Sequence, residues 1–142
     1  MEEKNNKNPL SELFTDESHN IDPKQLTEVL KPYLAINRSN NNILFTPDGL
    51  ALGAGKKIIL FLLSRKALFT LGAITDEAVA PKEIKAAFQK NMPAGTIDGT
   101  LKILTDSGLV KGDDGKYFVP DFNFPKIKIM LAVKTEKEKH GR

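Results

Sequence analysis

Hydrophobic positions recur along this chain at changing intervals, and each change of interval marks a new element. Residues 1–20 show no periodicity and are rich in Asn, Glu, Lys and Ser, which predicts a disordered tail. Asp22 then precedes Pro23 as an N-cap before a first-turn proline. Leu26, Val29, Leu30, Tyr33 and Leu34 continue as one helical stripe. Pro32 interrupts it, because a proline removes an interior hydrogen bond and kinks or splits a helix. Arg38 to Asn42 reads as a loop, Ile43 to Thr46 as a short strand, and Pro47-Asp48-Gly49 as its turn. Leu50 and Leu52 fit either a returning strand or the approach to the next helix.

Between Gly55 and Leu71 the apolar residues Ile58, Ile59, Leu62, Leu63, Leu68 and Phe69 lie nearly all round a helical wheel. Such a helix is buried on several sides. Gly72 stops it, and Ala73 to Ala80 is a connector. Pro81 opens another helix with Ile84, Ala87 and Phe88 inward, and Asn91-Met92-Pro93-Ala94-Gly95 breaks it. A further helix runs from Thr96 to Ser107, pinned by Ile97, Leu101 and Leu104 and capped by Gly108. Leu109 to Lys111 and Lys116 to Val119 are strands about the turn Gly112-Asp113-Asp114-Gly115. In residues 122–134, Ile127, Ile129, Leu131 and Val133 share one face if extended, which favours a strand, while Pro125 suits a helix start. The last residues, 135–142, read as a disordered basic tail. The fold class is mainly α with a small antiparallel sheet, α+β.

The stretch from Pro81 to Pro120, and above all GTIDGTLKILTDSGLVKGDDGKYFVP, resembles the winged helix-turn-helix superfamily. That resemblance implies a winged-helix core at 54–121, with residues 21–53 as a helix-and-strand extension. It further implies a DNA-binding regulator or accessory factor, with the Thr96–Ser107 helix in the major groove. On that reading Thr96, Gly99, Thr100 and Lys102 meet the duplex, while Lys111 and Lys116 of the wing and Lys82, Lys85 and Lys90 of the preceding helix take phosphates. Two aspartates on the same face, Asp98 and Asp106, oppose it. The alternative is a protein-interaction module in which Gly99 and Ile103, one turn apart, form a smooth apolar spot for another polypeptide. A homodimer through the N-terminal helix or 122–134 is a further expectation.

Composition narrows the chemistry. The 142-residue chain is 40% hydrophobic, enough for one ordinary core. It holds no cysteine, so disulfides, thiolate metal sites and cysteine nucleophiles are excluded. Its two histidines, His19 and His140, both fall in the expected tails, so neither a metal cluster nor a histidine-based triad is predicted. The adjacent carboxylates Asp76–Glu77 and Asp113–Asp114 read as helix-approach and turn residues, so no enzyme activity and no cofactor are expected. GLALGAGKK (49–57) fails as a phosphate loop, since Leu50 replaces the first required glycine and Lys57 the final Ser or Thr. Lys56, Lys57, Arg65 and Lys66 flank a run too short to span a membrane. An acidic start without an apolar run predicts no export signal, hence a cytoplasmic protein. Net charge is +3, with five acids against two lysines in residues 1–20 and six bases against two acids in 126–142.

Overall fold

Asp22 caps the first helix as its position demands, accepting a hydrogen bond from the Lys24 amide at 3.1 Å. The computed structural model describes residues 9–13, 21–88 and 91–132. The rest of both expected tails, with His19, His140 and Lys90, lies outside the described residues. Pro9–Leu13 departs from the expected disorder, forming a short 3-10 segment with Leu10 and Leu13 exposed.

Helix α1 (Pro23–Leu30) buries Leu26 and Leu30 and stops two residues before Pro32. Tyr33 and Leu34 therefore do not extend its stripe. Leu34 instead begins a strand, β1 (Leu34–Ile36), which pairs antiparallel with β2 (Ile43–Phe45). The proline makes the helical continuation too costly, and the β-prone segments on either side of the asparagine loop pair instead. Leu50 and Leu52 follow the approach-to-helix alternative. A one-turn helix α2 (Pro47–Leu50) is capped by Thr46, whose Oγ1 accepts from Gly49 N at 3.1 Å.

Gly49 is required at this crossing. A Cβ there would stand 2.2 Å from the Tyr33 carbonyl oxygen, the atom that accepts the Thr46 amide at 2.8 Å. Gly49→Ala should therefore cost about 1–3 kcal/mol, as overpacking does. A urea melt indistinguishable from the parent would contradict this.

At the centre lies α3 (Ala54–Thr70), with every residue from Ile58 to Ser64 buried. That is the wall-to-wall burial its uniform apolar character predicts, and it places IILFLL in the core. Helix α1, helix α5 (Ala94–Asp106) and strand β4 (Lys116–Phe118) pack around it, and α4 (Pro81–Phe88) lies on α5. Strand β4 pairs with β3 (Lys111–Asp113), and Val79 bridges to Tyr117 as a single-residue third strand. Asp114 and Gly115 both have positive φ (56° and 78°), the signature of a type I′ hairpin turn, for which Asp-Gly is a favoured pair. The chain is thus mainly helical with two small antiparallel sheets.

Two expectations fail locally. Ala87 is exposed, and α4 buries only Ile84 and Phe88. The leaning toward a strand in 122–134 is also overturned: Phe124–Ala132 is a helix, α6, burying Phe124, Ile127 and Leu131. Pro125 opens it, and the i, i+3, i+7 spacing outweighs the alternation, leaving Ile129 67% exposed. Buried Asn123 clamps α6 to the end of α5, donating from Nδ2 to the Gly108 and Leu109 carbonyls at 2.8 and 3.2 Å.

Candidate functional site

Helix α5 is pinned by Ile97, Leu101 and Leu104, all buried, so its opposite face is set outward by geometry. That face carries Asp98, Gly99, Lys102, Ile103 and Asp106, every one exposed. Gly108, at φ 86°, ends the helix and turns the chain toward the β3–β4 hairpin. Thr96 is exposed in the first turn. Thr100 is half-buried and faces α3, where its methyl would lie 4.0 Å from a Cβ on Gly55, so it leaves the outward set.

Three of the lysines expected to hold phosphates are engaged with carboxylates. Lys85 of α4 reaches Asp98 at 3.0 Å, Lys102 reaches Asp106 one turn on at 3.4 Å, and Lys116 reaches Asp76 at 3.6 Å. Lys82 and Lys111 are exposed. Pairs this exposed are worth about 0–1 kcal/mol and exchange readily. They nevertheless place an anion beside Lys85, Lys102 and Lys116, which lowers the positive field these three lysines offer. From Asp76 to Phe118 the sequence holds seven acids and six lysines. A phosphate backbone is attracted by an excess of positive charge, and this segment has none.

The centre of the α5 face is apolar. Ile103 is 68% exposed, and a Cβ added at Gly99 would meet nothing within 4 Å. An exposed isoleucine beside a bare backbone turn, ringed by paired charges, has the layout of a small docking spot with a polar rim.

The sequence missed a second constellation. Lys66 is buried, at 4% exposure, and bonds both Glu77 of the connector and Asp121 of a 3-10 turn (Asp121–Asn123) before α6. Asp76–Glu77 thus splits between a surface pair and this internal one. The signal was present: Lys66 falls one turn after Leu62 and Leu63, on the buried stripe of α3. Residues 49–57 are the end of α2, a short link and the first turn of α3.

Among the described residues, no group of three or more His, Cys, Asp or Glu could hold a metal ion, and no helix is long and apolar enough to cross a membrane. Compared with protein-family models, curated proteins and solved structures, the chain gives no match.

Proposed function

We propose that residues 54–121 are a winged helix-turn-helix used as a non-catalytic interaction module, docking another polypeptide on the outer face of α5. Support for the fold assignment comes from element order: α3, the Val79 bridge, α4, α5, then the β3–β4 wing. The observation that carries the function is Ile103, 68% exposed at the middle of a face whose neighbouring lysines are matched by carboxylates. Fold alone leaves DNA and protein partners equally open, and the pairing of Lys85 and Lys102 with carboxylates supports a protein partner.

Duplex DNA is the second reading, favoured by one feature. The first turn of α5 is capped by Pro93 without a side-chain bond, and Gly95 and Thr96 are exposed there, so free amides could hold a phosphate.

Fluorescence anisotropy with a random-sequence duplex separates the two. The proposal expects binding no tighter than about 10⁻⁴ M at physiological salt, the weak end of nonspecific association. Micromolar binding whose salt slope shrinks on changing Lys102, Lys111 and Lys116 to Ala would establish the DNA reading instead. A polypeptide or second copy retained by the unmodified chain and lost with Ile103→Glu completes the test.

A further inference from the structure

A cleft of about 400 Å³ runs between the β1–β2 hairpin and α4, within the range that holds a small ligand or short peptide. One wall is β2 with the two asparagines before it, residues 41–45; the other is the α4 face of Glu83, Ala86 and Ala87. Phe61 and Arg65 of α3 complete the lining.

The strand wall is an open edge. Antiparallel pairing alternates residues that face the partner strand with residues that face away. Asn37 N donates to Asn42 O and Thr46 N to Tyr33 O, which fixes residues 42, 44 and 46 as the ones turned toward β1. The amides and carbonyls of Ile43 and Phe45 therefore face the free edge, and they bond no other main-chain group among the described residues. A strand edge with unpaired N–H and C=O groups is a template for pairing with a further strand. The opposite wall keeps room for one, since Ala86 and Ala87 are both small and exposed.

Arg65 supplies the chemistry. Among the described residues its carboxylate neighbour is Glu83, 3.8 Å away and beyond hydrogen-bond length, and its buried Nε has no hydrogen-bond partner. A buried donor left unfilled is uncommon and calls for an explanation. The guanidinium fork, partly open to the cleft, suits a bidentate carboxylate better than this distant one.

We propose that this cleft binds an extended peptide segment as a third strand on the free edge of β2, with a carboxylate side chain of that segment on Arg65. The site is separate from α5 and does not depend on how that helix is used.

The probes are two capped pentapeptides, TVEVT and its neutral counterpart TVQVT, titrated into the isotopically labelled full chain and followed by NMR. TVEVT is expected to shift the Ile43 and Phe45 amides and the Ala86 and Ala87 methyls at millimolar concentration. TVQVT should bind about tenfold more weakly, the margin of one charge-assisted hydrogen bond. Arg65→Gln should erase that preference. Ala87→Trp should block both peptides while leaving the melting temperature unchanged, because Ala87 is exposed. Equal affinities for the two peptides, shifts confined to residues outside the cleft, or no shift up to about 10 mM would each overturn the assignment.

Discussion

Replacing Lys66 by methionine lowers the stability of the fold by about 3 kcal/mol, the lower end of what removing one partner from a buried ionic group costs. Methionine keeps most of the stem's volume, so the loss reports the missing charge and not a cavity. Glu77 and Asp121 would then face each other without their shared cation, each only about a fifth exposed (22% and 19%). That residual exposure is why the lower end is expected. The triple variant Lys66→Met, Glu77→Gln, Asp121→Asn should recover most of the loss, since replacing a whole buried ionic group is close to neutral. Urea melts of both variants decide the matter. A single variant within about 0.5 kcal/mol of the parent would mean the cluster is only a surface-like pair.

Its consequence reaches the candidate site. Lys66 ties α3 to the connector just before Val79, and Val79 holds Tyr117 of β4. Through Asp121 it also fixes the chain just ahead of Asn123, which grips the end of α5. One buried cation thus sets the connector, the β3–β4 hairpin and the end of α5 against the central helix.

Where local chemistry decides an element, the sequence is readable. Asp22-Pro23 and Gly108 each need a particular backbone geometry, and each adopts it. The hairpin turn is tighter than the expected 112–115, with Gly112 and Asp113 in β3 and Asp114-Gly115 alone making the turn. The Ile97, Leu101 and Leu104 stripe fixes the outward face of α5 because a helix has only one way to bury that spacing. Residues 122–134 were less readable, since Ile127 and Leu131 suit both a strand and a helix, and only packing against the rest of the core chooses. The ion pairs of Lys85 and Lys116 join residues far apart in sequence, so the wheel of α5 alone could not foresee how its neighbours are neutralised. The cleft was invisible for the same reason. Its two walls, 41–45 and 83–87, lie about forty positions apart, and neither carries a binding motif by itself.

Phe88→Ala should be about as costly as the Lys66 change or worse, at about 3–5 kcal/mol, because the ring is fully enclosed and its removal leaves a cavity. It stacks tilted on Phe45 of β2 at 5.5 Å between centroids and meets Phe61 of α3 edge-on at 5.8 Å. These three rings join the 21–53 extension to the helical core, and Phe45 and Phe61 also line the cleft. A double-mutant cycle between Phe45→Ala and Phe88→Ala should give a coupling of about 0.5–1.5 kcal/mol, the usual worth of an aromatic pair beyond its buried area. Both single variants should still melt in one transition, because Leu26, Leu30 and Leu34 also belong to the buried core around α3 and keep residues 21–53 packed on it. Two transitions in the Phe88→Ala melt, with the parent showing one, would instead mean that this ring alone couples the extension to the core. In that case the cleft would open at a lower temperature than α5 loses its packing.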